Sequence, residues 1–411
     1  AENVLEFPAR WLSGFFGASL SEGLRTHYDS FLELAFQRKP EYMGWGYHWN
    51  HYGSGCEQLT DTDFSFSNYD EARKRLDACK ELGRYARHLY DSLPEASRAA
   101  FSQLVWYPFR GTELMNRMTL GGQLNRQYAR QRRAATNRVA DEVRACHDSL
   151  ELITEEYNSL LGGKWRHMMS LRQNYDRTSA YFQLPNLEHY DPQGAPAPEV
   201  AVEGEDASGT RSYHALPVFD RYLRQTRWFE IYNTGNGMVD WKAKPSAPWI
   251  LLSASEGSTP CEDRIEVCID WSKLPEESNP LGEIRIQANG REETILVSVF
   301  NPAVPTRHEL EGRYVQSDGH VAIPADGYHR ITGNRTLTIK PVPGLAPRGS
   351  ALQLGDPVGP LQNYRDENTP SVEYDFYCFD AGSVDVYTCV LPLFPVCRDR
   401  DLRLPENTHA D

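Results

Sequence analysis

A chain of 411 residues, 40% of them hydrophobic, exceeds what one core usually fills, so two or three domains are expected. Its formal net charge of −14 repels phosphate backbones, and a nucleic-acid role would need a local patch that wins against the overall field. No run of about 18 apolar residues occurs, which excludes a membrane-spanning helix, and the opening stretch lacks the basic-then-apolar order of a secretory signal.

Residues 19 to about 172 read as helices. Ser19-x-x-Glu22 is a capping box, in which hydroxyl and carboxylate satisfy the opening N–H groups of the first helix. Leu20, Leu24, Tyr28, Phe31, Leu32 and Ala35 follow at spacings that place them on one face. A second helix begins near Tyr69, turns Ala72, Leu76, Cys79, Leu82, Ala86 and Leu89 inward, and stops at Pro94. A third covers about 95 to 106, with Pro108 as terminator because proline has no N–H to donate. The longest begins near Gly111 and continues, kinked at Gly121-Gly122, to Gly162-Gly163, where two glycines supply a stop.

Within that last helix lies "QYARQRRAATNR", and no acidic residue occurs from Leu114 to Ala140. On a continuous helix Arg126, Arg130 and Arg133 fall opposite Tyr128 on one solvent-side row, with Arg132 at the edge of the apolar stripe. No aromatic platform accompanies them, so the row reads as a solvated or partner-facing surface and not as a nucleic-acid site.

From 184 to 212 the texture changes to "DPQGAPAPEVAVEGEDASG", which reads as a linker or long loop after a helical bundle over 1–183. Short runs such as "WFEIYN", "WILLSA", "RIEVCIDW" and "TILVSVFN" follow at the turn spacing of a β-sandwich, expected over 213–302. A further β-rich region is expected over 303–411. Strands never alternate with helices of similar length, and no phosphate-binding, dinucleotide-binding, zincin or nucleophile-elbow motif is found, so no cofactor is expected. The eight cysteines contain no C-x-x-C pair, which argues against a zinc ribbon. An even count, half of it after Cys261, fits a few disulfides in an oxidising compartment or buried free thiols equally well. Cys378 and Cys389 could face each other across a hairpin, and Asn334-Arg335-Thr336 is a glycosylation sequon.

Several stretches taken in order resemble the region after the catalytic barrel in glycoside hydrolase family 115. They are "LELAFQRKPEYMG", "FSFSNYDEA", "FSQLVWYPFRGTELMNR", "NRQYARQRRAATNRVADEV", "LLGGKWRHMMS" and "LPVFDRYLRQTRWFEIYNTGNGMVDWKA", followed by "RIEVCIDWSKLPEESNPLGEIRI" and "VEYDFYCFDAGSVDVYTCVLPLFPVCRDRDLRL". The resemblance implies an enzyme that removes glucuronic acid or its 4-O-methyl form from α-1,2 linkages on xylan, with inversion. It also implies a secreted protein built as a helical bundle followed by an immunoglobulin-like β-sandwich and more β structure. The family places its catalytic carboxylates in a barrel expected before Ala1, so no catalytic residue is assigned and the chain alone is expected to be inactive. Glucuronoxylan or a related glucuronic-acid-bearing polysaccharide, reached through the full enzyme, the missing barrel and a second copy of the chain are the expected partners, with no nucleic acid and no membrane. A free-standing carbohydrate-binding or interaction protein is the alternative.

The most unusual segment is "MGWGYHWNHYGSGCE". Aromatic faces stack on sugars, so Trp45, Tyr47 and Trp49 are the candidate substrate-binding residues, against the alternative that this loop packs its aromatics on the bundle. His48 and His51 are three apart but lack a clear third ligand other than Cys56, so no metal site is expected. Glu33 and Glu41 read as ion-pair partners for Arg38 or Lys39, and Trp241, Trp249 and Trp271 as sandwich core.

Overall fold

The computed structural model describes residues 7–40, 43, 61–170, 184–205, 213–277, 279–332, 338–346, 349–355 and 370–391. The chain forms two compact units, Ala1–Asn301 and Pro302–Asp411. The first opens with helices α1 (Phe7–Phe16), α2 (Ala18–Gln37), α3 (Glu71–Ser92), α4 (Glu95–Phe101), α5 (Tyr107–Arg130) and α6 (Thr136–Gly163). Helix α1 precedes the first helix expected, and α2 starts at Ala18 with Gly17 as its cap, so Ser19 is inside the helix and not its cap. Leu34 is buried where Leu32 was expected, in one cluster with Leu24 and with Leu12 and Phe16 of α1, whereas Leu32 is exposed.

Helix α3 turns Ala72, Cys79, Leu82, Ala86 and Leu89 inward, together with Arg75. That buried guanidinium donates to the Leu34 carbonyl at 3.1 Å and the Arg38 carbonyl at 2.7 Å, closing the open end of α2, and to Asn116 Oδ1 at 2.7 Å.

Pro108 does not end a helix. A π-helical turn, Ser102–Trp106, joins α4 to α5, and Pro108 sits in the first turn of α5. The helical backbone runs on from the π turn into α5, so the proline removes one N–H from a continuous helix. The carbonyl that this N–H would have reached, that of Leu104, accepts the Tyr28 hydroxyl from α2.

The long helix expected from 111 to 163 is two antiparallel helices. The break falls at 131–135, where Arg132 is left-handed, and Gly121 and Gly122 lie inside α5. Those glycines serve close packing, since a Cβ at Gly121 would come 2.6 Å from Val143 Cγ2 of α6 and one at Gly122 2.7 Å from Pro185 Cγ. Leu161, Gly162 and Gly163 all have positive φ, in keeping with a glycine stop there.

The helices are followed by two sheets. Strands β1 (Pro198–Val202), β4 (Arg227–Asn233), β6 (Ile250–Leu252) and β8 (Glu262–Ile269) form one, in the order β1-β4-β8-β6. The second runs β2-β10-β9-β5-β7 with β3 also on β10. Its strands are β2 (His214–Ala215), β3 (Phe219–Asp220), β5 (Val239–Pro245), β7 (Glu256–Thr259), β9 (Leu281–Ala288) and β10 (Arg291–Phe300). Strand β1 arises from within the stretch read as a linker. Alternation drives the layers together, since Phe229, Ile231, Ile265 and Val267 of the first sheet share one core with Trp241, Ile284, Ile286, Ile295 and Val297 of the second. Each such side chain contributes about 1.5–3 kcal/mol on leaving water. Trp241 and Trp249 are each 3% exposed, and Trp271 packs partly buried against the same core.

The described residues of the second unit contain three two-stranded ladders. They pair β11 (Tyr314–Val315) with β16 (Phe376–Tyr377), β12 (Arg330–Thr332) with β15 (Ser371–Glu373), and β13 (Ile339–Pro343) with β14 (Ser350–Leu354). After β16 the described chain to residue 391 pairs with no strand, so no hairpin brings Cys378 to Cys389. Both are free, as are Cys79, Cys146, Cys261 and Cys268, so of the two readings left open the described cysteines follow the free-thiol one, with Cys79 and Cys146 buried. The sequon at Asn334 lies outside them. No described helix is long and apolar enough to cross a membrane.

Candidate functional site

Strand β4 is buried at all seven positions, which alternation on one face cannot explain. Phe229 and Ile231 enter the core between the sheets, whereas Trp228, Glu230 and Tyr232 face the other way, toward the helices. A carboxylate at the middle of that outer face must be neutralised, because an unpaired buried charge is far too costly. Glu230 Oε2 accepts from Arg133 Nη1 at 2.6 Å, and Glu230 Oε1 accepts from Arg73 Nη2 at 2.8 Å. Arg264 of β8 stands 3.7 Å from the same carboxylate and donates to Asp70 Oδ2 at 2.8 Å. Asp70 occupies the cap position of α3 but makes no capping bond, its carboxylate being turned to the arginines.

Planar stacking fixes these cations. The Arg133 guanidinium lies over the ring of Tyr128 at 4.3 Å and that of Tyr232 at 4.1 Å, and Arg264 lies over Trp228 at 4.2 Å. Around this centre, Arg138 of α6 donates to Glu262 of β8 at 2.6 Å, and the Ala134 N–H reaches the Asn233 carbonyl at 2.8 Å. Nearby, Arg227 donates to Glu203 at 2.9 Å, both side chains buried.

Burial raises the Glu230 carboxyl, but the guanidinium groups of Arg133 and Arg73 more than offset it and hold the group below the usual carboxylate range. For Glu203 burial outweighs Arg227, and for Glu262 burial, with the nearby Glu230 charge, outweighs Arg138, Arg133 and Arg73, so both are raised. Inverting glycoside hydrolysis needs an acid and a base about 6.5–9.5 Å apart across an accessible sugar. Glu230 and Glu203 are each 3% exposed and closed off by arginines, so no sugar ring reaches them. The arrangement holds helices and sheets in one orientation. It does no proton transfer on a glycan.

The expected arginine row is therefore overturned. The turn at 131–135 carries Arg133 from the outer face into the joint, where it is 1% exposed, because wheel geometry holds only while the helix continues. Arg126 pairs with Asp61 and donates to the Asn186 carbonyl at 2.6 Å, and Arg130 and Arg132 remain exposed. Arg73, Asp70, Glu230 and Arg264 were missed. The available signal was a glutamate at the centre of the apolar run "WFEIYN". Trp45, Tyr47 and Trp49, with Glu41, His48, His51 and Cys56, lie outside the described residues, while Met43 is buried against Phe66, Ala72 and Leu120. Glu33 is exposed, and no three metal-ligating side chains converge among the described residues.

Residues 313–405 match the glycosyl hydrolase family 115 C-terminal domain. Among solved structures, a family GH115 4-O-methyl-α-glucuronidase with specificity for decorated arabinogalactans is similar at 18% identity and a TM-score of 0.37, covering 72% of this chain and 41% of that one. The chain thus spans about two fifths of that structure's length. A Bacteroides ovatus GH5 xyloglucanase is similar at 16% identity and a TM-score of 0.21, covering 29% of this chain and 21% of that one. The YadV chaperone follows at 11% identity and 0.19, covering 26% and 54%. No curated protein matches the chain.

Proposed function

We propose, from the premise that the chain carries the C-terminal domain of glycosyl hydrolase family 115, that it is the non-catalytic helical and β portion of a secreted α-glucuronidase. The whole enzyme removes glucuronic acid or its 4-O-methyl form from α-1,2 linkages on xylan with inversion, its carboxylates standing on a barrel that precedes the helices. The two sheets with their shared core are read as an immunoglobulin-like sandwich, and Trp45, Tyr47 and Trp49 as a xylan-contacting loop.

The match at residues 313–405 carries this reading. The closed state of the buried carboxylates supports the non-catalytic role, because Glu230 is held ionised by arginines from three directions. The role of the portion is to brace the barrel and shape its surroundings.

The test is uronic acid release from glucuronoxylan, with decorated arabinogalactan as a second polymer. The purified 411 residues are expected to release none, and co-expression with a family 115 barrel to restore release. Release by the chain alone would overturn the proposal, and retention on xylan with no barrel able to restore release would turn it into a free-standing binding protein.

A further inference from the structure

A second charged feature lies away from the joint, on the outer side of α3. Lys80, Arg84 and Arg87 stand at i, i+4 and i+7 and share one face, opposite Trp106 and Arg110. Between them opens a cleft of about 280 Å³, the size for one sugar-sized group. Its floor is Gly83 and the Glu113 carboxylate. A Cβ at Gly83 would come 1.8 Å from Glu113 Oε2, so only glycine admits this approach.

The charges do not cancel. Among the described residues Glu113 is the one carboxylate lining the cleft, against four cations, and it is already committed to Arg110 at 2.5 Å and Arg117 at 3.3 Å. Lys80 has an outer partner in Asp77, an exposed pair of the kind that contributes little, and Arg84 gives its Nε and Nη2 to the two oxygens of Glu81 at 2.9 Å and 2.7 Å, both side chains exposed. Arg87 has no carboxylate partner among the described residues. Its guanidinium lies over the Trp106 ring at 4.5 Å, which fixes its plane and leaves its edge free to donate two parallel hydrogen bonds. Like charges four apart on a helix cost a few tenths of a kcal/mol. In a chain of net charge −14, such a patch suits an anion.

We propose that this cleft binds the carboxylate of a single uronic acid residue on a glycan, Arg87 holding the carboxylate edge-on with Arg84 and Lys80 flanking it. The choice of a uronate over another oxyanion rests on the glucuronidase reading above. The cleft would retain the decorated polymer on the enzyme without acting on it.

The test is calorimetric titration of the full chain with a glucuronate-bearing xylo-oligosaccharide, the neutral oligosaccharide of equal length, and inorganic phosphate. Saturable binding of the first alone is expected, weakened by salt, and reduced at least tenfold by Arg87→Gln and by Arg84→Gln. Arg144→Gln, at an exposed pair on α6, should bind as the parent does. Folding of each variant is checked by its circular dichroism. The proposal falls if no binding is seen, if the neutral sugar binds equally, if phosphate binds in place of the uronate, or if both cleft variants bind unchanged. Barrel complementation is a separate readout, so either idea can fail while the other stands.

Discussion

Arg133 Nη1 donates to Glu230 Oε2 at 2.6 Å across 97 positions of chain, with both side chains almost wholly out of water. One residue comes from a five-residue turn between helices and the other from the outer face of a strand. Their pairing makes the helices and the first sheet a single body.

Removing one partner leaves the other charge buried. Arg133→Ala removes one of the two guanidinium groups hydrogen-bonded to Glu230, so it is expected to cost about 1.5–3 kcal/mol in urea unfolding followed by circular dichroism. Arg133→Lys keeps the charge but loses the plane stacked on Tyr128 and Tyr232, so its loss should be intermediate. A loss under about 1 kcal/mol for the alanine variant would show that the joint is solvated.

The same pair sets an acid dependence. The folded-state Glu230 carboxyl titrates below its unfolded value, so its contribution is fully present above about pH 4.3 and is lost as pH falls through the folded value. Glu203 and Glu262, both raised, act in the opposite sense: the folded state takes up their protons first, so acidification relieves part of their burial cost. The stability difference between the parent and Glu230→Gln isolates the first effect. It should be constant near neutral pH and shrink below about pH 4.3. A difference that grows on acidification would reverse the assigned sign.

Tyr28 and Pro108 should be coupled through the Leu104 carbonyl. Tyr28→Phe removes the donor and is expected to cost about 1 kcal/mol. Adding Pro108→Ala supplies a backbone N–H for that carbonyl, so the double variant should lose less than the sum of the two single changes. Strict additivity would mean that the hydroxyl does not serve the proline position.

Thiol reactivity should separate the cysteines by burial. Burial pushes the Cys79 thiol up to about 12 and also raises Cys146, whereas Cys389 is exposed. Alkylation of the native chain near pH 8, followed by peptide mass mapping, should label Cys389 and spare Cys79 and Cys146 until denaturant is added. Rapid native labelling of Cys79 would contradict the packing of α3.

Gly235 lies in the turn after β4, where a Cβ would come 1.9 Å from the Ala195 carbonyl oxygen. Backbone stands on both sides of that contact and cannot rotate away, so Gly235→Ala should cost about 1–3 kcal/mol in the same unfolding experiment. A neutral result would show that the 195–197 segment moves freely.

Local periodicity alone was enough to place α3 with its inward row from Ala72 to Leu89, and the strand "RIEVCIDW" with Ile265 and Val267 inward. A repeat of 3.6 or 2 records which face of an element leaves water, and nearest neighbours carry that information. The ordered resemblance to the segment after a family 115 barrel was likewise legible, and the C-terminal match agrees with it. Tertiary structure decided the fate of Arg133 and of Glu230. No local pattern says what will cover a face, and one left-handed residue, Arg132, was enough to turn an expected surface row into a buried joint. A strand whose two faces are both covered loses its polar signature except at the residue that meets a charge, which is why Glu230 stood in plain sight within "WFEIYN" and acquired its meaning only from an arginine 97 positions away.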